Sequence, residues 1–150
     1  MGVSQPSLKG RALRLLSGRE HSRAELERKL QGFEEEPGQL ARALDELQAK
    51  GFINEQRVLE SVLHRRAPRL GAARIRQELQ ARGLDAAAVQ EAVADLQASE
   101  LARAREVWLR KFGTAPADAA ARARQMRFLA ARGFATAVIR RVVAGADDGD

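Results

Sequence analysis

Three times this chain writes Leu-x-Ala-basic-Gly-apolar: LQAKGF at 47–52, LQARGL at 79–84 and LAARGF at 129–134. Gly adopts the left-handed conformation that ends a helix, which costs other residues a steric penalty. With Gly51, Gly83 and Gly133 at that position, Leu47, Leu79 and Leu129 fall three residues inside the helix end. Phe52, Leu84 and Phe134 fall just past it, and these are the two places whose apolar side chains meet in a Schellman stop. The cation before each glycine (Lys50, Arg82, Arg132) faces the negative end of the helix dipole. Each occurrence is therefore a complete helix terminator, and a chain that uses it repeatedly is built from short helices.

The terminators sit inside a longer repeat. Shifted by 49, Leu26, Leu30, Leu40, Leu44 and Leu47 fall on Ile75, Leu79, Val89, Val93 and Leu96. Shifted by 50, Val58, Leu59, Val62, Leu79, Leu84, Val89 and Val93 fall on Trp108, Leu109, Phe112, Leu129, Phe134, Ile139 and Val143. Two successive near-constant shifts over apolar positions predict three copies of a three-helix unit, at 8–53, 54–98 and 99–145. Flexible termini are expected at 1–7 and 146–150. The Gly51 stop closes the third helix of the first unit, whereas Gly83 and Gly133 close second helices. One position breaks the pattern: Ile75 falls on Gln125, so the third core is expected to use Met126 or Phe128 instead. The fold class is all-α, three tandem three-helix repeats stacked into an elongated, curved rod. Ala, Leu, Arg, Glu and Gln dominate a sequence with 4% aromatic residues, and these are strong helix formers.

Local signals place the helices. The first spans 8–17, with Leu8, Ala12, Leu15 and Leu16 on one side. Ser22 and Glu25 form a capping box for the second, which carries Leu26 and Leu30, with Phe33 beyond. Pro37 suits the first turn of the third. Asn54 and Asp85 cap later helices, TAPAD at 114–118 opens another, and Pro68 breaks the helix that carries Val58 and Val62. Trp108 and Phe112 lie on an apolar stripe and are read as core.

The chemistry points to binding rather than catalysis. There is no Cys, hence no disulfide, thiol chemistry or Cys-based zinc site. His21 and His64 are the two histidines, read as a solvated loop residue and a helix-flank residue. His21 has Glu25 four residues on, far short of a metal site. No phosphate-loop, dinucleotide or nucleophile-elbow motif occurs. No enzyme activity and no cofactor are expected. No apolar run approaches the ~20 residues of a membrane span, and MGVSQPSLKG lacks a signal core, so a cytoplasmic protein without membrane attachment is expected.

Charge is graded along the chain. Residues 1–55 carry nine cations and nine anions, and residues 98–150 carry ten and six, with three of those six in the closing DDGD. Of the 26 cations, 22 are Arg, the side chain suited to bidentate contact with phosphate or carboxylate. Arg65, Arg66 and Arg69 are placed in the first interhelix loop of the second unit, with Arg74, Arg76 and Arg82 after them. Arg110, Lys111, Arg122, Arg124, Arg127, Arg132, Arg140 and Arg141 follow in the third. Of these, Arg65, Arg66, Arg69, Arg74, Arg76, Arg82, Lys111, Arg122, Arg124, Arg127, Arg132, Arg140 and Arg141 are the candidate basic face for phosphate or acidic groups. Reversing the charge of Arg74 with Arg76, or of Arg124 with Arg127, is expected to weaken binding without unfolding.

Residues 51–84, GFINEQRVLESVLHRRAPRLGAARIRQELQARGL, resemble the RecX family of bacterial recombination regulators. The resemblance rests on Gly51, Phe52, Ile53, Glu55 and Arg57, then Gly71, Ile75, Glu78 and Leu79, then Arg82, Gly83 and Leu84, and it extends over about residues 10–144. Asn54, Leu59 and Ala135 depart from the family pattern. The resemblance implies a protein that lies in the helical groove of a RecA–DNA filament and restrains strand exchange, ATP hydrolysis and co-protease activity. Its implied partners are RecA and single- or double-stranded DNA, and a monomer is expected. Two other readings of the residues stand beside it: a helix-turn-helix DNA-binding protein acting without RecA, and a helical-repeat adaptor for an acidic protein.

Overall fold

A computed structural model describes residues 5–147 and contains nine α-helices, one 3₁₀ turn and no strand among them. They are α1 Leu8–Gly18, α2 Arg23–Leu30, α3 Gln39–Ala49, α4 Glu55–Arg66, α5 Ala72–Ala81, α6 Ala86–Ala98, α7 Glu100–Lys111, α8 Ala119–Ala131 and α9 Thr136–Asp147. The molecule is all-α, with helices in three successive groups of three.

The starts and stops have local causes. Ser22 accepts from the Glu25 N–H while the Glu25 carboxylate accepts from the Ser22 N–H, the reciprocal capping box. Asn54, Asp85 and Asp118 cap α4, α6 and α8 through side-chain oxygens on the N–H three residues on. Gly51, Gly83 and Gly133 all have positive φ, at 83°, 71° and 88°. At two of them both terminator bonds are formed: Phe52 N–H to Leu47 O with Gly51 N–H to Gln48 O, and Phe134 N–H to Leu129 O with Gly133 N–H to Ala130 O.

Three expectations change. Pro37 precedes α3 rather than entering it. Gln39 N–H bonds the Glu36 carbonyl across Pro37 and a left-handed Gly38, which makes a type II turn. Phe52 does not close an apolar clasp over Leu47: it is 47% exposed, and Ile53 fills the core instead. Gln125 itself, not Met126 or Phe128, takes the buried position equivalent to Ile75. Its Oε1 accepts from Trp108 Nε1 at 2.8 Å and its Nε2 donates to the Thr114 carbonyl at 3.1 Å. Trp108 stands where Val58 does, so the ring that enlarges this core also brings the N–H that satisfies the glutamine. Met126 and Phe128 pack partly buried at its margin.

The chain divides into two compact units, one running through Ser61 and including Ala81–Leu84, the other comprising Val62–Gln80 and the chain from Asp85 onward. In the first, Leu8, Ala12, Leu26, Leu30, Leu40, Leu44, Leu47 and Ile53 form one core. In the second, Ala104, Val107, Trp108, Leu129, Phe134, Ile139, Val142 and Val143 form another.

Each unit contains the same joint. In the first, the terminator 81–84 lies against the start of α2: the Ser22 hydroxyl donates to the Arg82 carbonyl, and Arg28 donates to the Ala81 carbonyl at 2.7 Å. A Cβ on Gly83 would collide with that of Ala24. In the second, the terminator 131–134 lies against the start of α5: Gly71 N–H donates to the Arg132 carbonyl at 2.8 Å, and Arg74 to the Ala131 carbonyl at 2.7 Å. A Cβ on Gly133 would strike Arg74, and one on Gly71 would strike the backbone of Gly133. The repeated hexapeptide is thus a joint as well as a stop. Glycine is required at 83 and 133 twice over, by φ and by close approach.

Candidate functional site

The second unit carries a cleft of about 310 Å³ lined by Pro68, Arg69, Val107, Arg110, Lys111, Phe128 and Arg132. Its walls follow from local sequence. Pro68 disfavours helix at Ala67, so α4 ends at Arg66 and delivers Arg69 on a turn. Arg110 and Lys111 are the last turn of α7, and Arg132 is the C-cap of α8, both ends where a cation meets the helix dipole favourably. The Phe128 ring organises two of these charges: the Arg132 guanidinium lies 4.9 Å and the Lys111 ammonium 5.4 Å from its centroid. Phe112 meets the same ring edge-on at 5.4 Å. Among the described residues no carboxylate forms an ion pair with Arg69, Arg110, Lys111 or Arg132. Four cations surround an apolar floor of Val107, Phe128 and Pro68, an arrangement whose chemistry suits an anionic group.

Of the candidate basic face, the structure gathers Arg69, Lys111 and Arg132 here, with Arg110 beside them. Arg65 and Arg66 are not in the loop but in the last turn of α4, and Arg66 pairs with Glu78 at 2.9 Å. Arg74 is a joint residue, its stem under Gly133 and its guanidinium on the Ala131 carbonyl. Reversing its charge removes the bond to the Ala131 carbonyl, so a loss of binding in the Arg74 with Arg76 reversal is expected to carry a structural contribution too. Arg76 lines a separate hollow of about 140 Å³ with Ala73, Val93 and Gln97. Arg122, Arg124 and Arg127 lie exposed on α8, and Arg140 and Arg141 exposed on α9.

Arg82 turns inward. It donates to Glu25 at 3.2 Å, with the two side chains 14% and 7% exposed. Burial alone would raise the Glu25 carboxyl. The hydrogen bonds from Arg19 and the Ser22 N–H, with the charges of Arg82 and Arg19, outweigh it and hold the group below its usual range.

Two further residues have capping roles that the sequence patterns did not assign. Glu100 is 4% exposed, and its two oxygens accept from Ala72 N–H at 2.6 Å and Ala135 N–H at 3.1 Å, so one carboxylate caps the starts of α5 and α9. Glu55 does the same for α2 through Arg23 N–H at 3.1 Å. The signal was present: both are the first residue of the helix that opens the next repeat. His21 is 3% exposed rather than solvated. It sits on the Arg19 carbonyl through Nδ1, at 3.0 Å, and on Lys29 Nζ through Nε2, at 3.2 Å. Burial lowers its pKa from the ordinary 6.5, and the nearby Arg19 and Lys29 charges push the same way. No helix among the described residues is long and apolar enough to cross a membrane.

Comparison with known proteins matches residues 9–47, 54–93 and 98–143 to the first, second and third three-helix domains of RecX. The chain is 54% identical over 143 residues to the regulatory protein RecX of Leptothrix cholodnii, covering 95% of this chain and 91% of that one. It is 52% identical over 148 residues to the regulatory protein RecX of Ralstonia nicotianae, covering 96% and 93%. The crystal structure of RecX from Lactobacillus salivarius superposes with a TM-score of 0.73 at 18% identity, over 93% of this chain and 94% of that one. The chain belongs to the RecX family of regulatory proteins.

Proposed function

We propose, from that membership, that the protein is a non-enzymatic regulator. It binds RecA–DNA filaments through the basic surface of its second compact unit and restrains recombinase, ATPase and co-protease activity. It acts as a cytoplasmic monomer without a cofactor, with DNA in the filament as a second contact. The observation that carries the reading is the cleft of Arg69, Arg110, Lys111 and Arg132, four cations over an apolar floor with no carboxylate partner among the described residues. A filament presents polyanionic DNA and protein carboxylates together, and both suit such a receptor. The helix-turn-helix alternative has less support, because α6 opens Ala86-Ala87-Ala88 and α9 opens Thr136-Ala137-Val138, without the Arg, Asn or Gln that reads base edges.

The test is the DNA-dependent ATPase of RecA with increasing amounts of purified protein. Inhibition is expected for the wild type and a loss of about ten-fold or more in potency for Arg69→Glu with Lys111→Glu, circular dichroism remaining native. A wild-type protein without effect at saturation overturns the reading.

A further inference from the structure

The first compact unit carries a second basic-aromatic arrangement of a different kind. The 3₁₀ turn Gln31–Phe33 follows α2 and presents Phe33 to solvent, 49% exposed. The Arg11 guanidinium of α1 lies over the ring, 3.8 Å from its centroid. Arg11, Arg14 and Lys29 line one groove with Leu15, Leu30 and this ring, about 200 Å³ in volume. Among the described residues none of these three cations is paired with a carboxylate: Arg11 donates to Gln5 Oε1 at 3.2 Å and Lys29 meets His21 Nε2. A second groove of about 440 Å³ shares Phe33 and Arg11 and is flanked by Glu34 and Glu35. The ring therefore stands between two grooves, with Arg14 and Lys29 in one, two carboxylates in the other and Arg11 lining both.

We propose that Phe33, Arg11, Arg14 and Lys29 form a nucleotide-binding site, with the base stacked on Phe33 and the phosphate held by Arg14 and Lys29. An exposed ring already carrying a guanidinium favours a flat partner, and every nucleobase offers a π-face. Glu34 and Glu35 repel a phosphate from the second groove, so the charge pattern also sets which way the nucleotide points. An acidic peptide would satisfy the cations but leave the ring without a planar partner. The site differs from the cleft of the second unit, where Phe128 is occupied by Lys111, Arg132 and Phe112 and serves to place cations. It gives a place to the DNA contact of the function proposed above but does not rest on RecA binding, so it can fail while RecA inhibition stands.

The experiment measures binding of the full chain to a fluorescein-labelled 12-nucleotide oligo(dT), to an abasic strand of equal length and to AMP. Phe33→Ala is expected to weaken oligo(dT) about ten-fold, the size of one base–aromatic stack, and to leave the abasic strand unchanged. Phe33→Trp restores the affinity. Arg14→Ala with Lys29→Ala weakens both strands and lowers the salt dependence by about two charges. AMP shifting the resonances of Phe33 and Arg11 assigns the site to free nucleotides as well as strands. Perturbation by oligo(dT) alone assigns it to strands. Oligo(dT) affinity unchanged in Phe33→Ala, an abasic strand bound as tightly as oligo(dT), or polyglutamate competing as well as oligo(dT), would each overturn the proposal.

Discussion

Arg82 and Arg132 occupy the same place in the repeat, one residue before a left-handed glycine, and meet opposite fates. In the first joint Arg82 finds Glu25 and is enclosed with it. In the second joint the residue equivalent to Ser22 is Gly71, and the contact to the terminator carbonyl passes from a hydroxyl to a backbone N–H. Gly71 begins no capping box, no carboxylate among the described residues pairs with Arg132, and its guanidinium lies over Phe128 at the edge of the basic cleft. Where the joint is made by the Ser22 side chain its arginine is enclosed, and where it is made by the Gly71 N–H its arginine stays in the lining of the cleft.

The largest test of this contrast exchanges the two joint residues. Gly71→Ala is expected to cost about 3 kcal/mol, the upper end for overpacking, because its Cβ would meet the backbone of Gly133, which has no rotamer to yield. Ser22→Gly should cost less, about 1–1.5 kcal/mol, since both hydroxyl bonds are lost but glycine is a tolerated cap in place of the one from Glu25 N–H, leaving mainly the bond to the Arg82 carbonyl. Urea unfolding measures both, and equal costs would remove the distinction between backbone and side-chain joints.

The arginines come next. Arg82→Ala leaves the buried Glu25 with Arg19 as its remaining cation and should destabilise by about 1–3 kcal/mol. Arg132→Ala gives up its place over the Phe128 ring and should cost about 0.5–1 kcal/mol. If the two were equally destabilising, Arg132 would be structural and the cleft would lose a wall.

The smallest effect is the response to acid, and it belongs to the first joint. His21 has a lowered folded pKa, so the unfolded chain takes up its proton first. Its contribution is complete above 6.5 and is lost as pH falls through the lower folded value. Glu25 is also lowered, so its contribution is present above 4.5 and is lost as pH falls below that. The urea midpoint should therefore fall in two limbs, the upper absent in His21→Gln and the lower in Glu25→Gln. A wild-type midpoint flat from pH 7 to 4 would contradict both assignments.

Much of this was legible in the sequence because it is local. A capping box, an Asn or Asp cap and a left-handed glycine act within five residues, and their spacing can be counted. The repeat follows from apolar positions at near-constant shifts. The partial failures are informative for the same reason. Phe52 has the spacing of a clasp, but Ile53 was one residue away and took the core. Gln125 looked like a break in the apolar pattern until Trp108, 17 residues distant, supplied its partner.

The division is sharpest for the charges. Sequence by itself determined where helices begin and end, because those choices rest on φ, capping and periodicity within a turn or two of chain. Only the tertiary structure decided which cations remain available. Arg82 is neutralised by a carboxylate 57 residues away, Glu100 serves amides 28 and 35 residues away, and Arg74 spans 57 residues to a carbonyl. A charge is disposed of by whatever lies within about 4 Å in space, and distance along the chain does not report that.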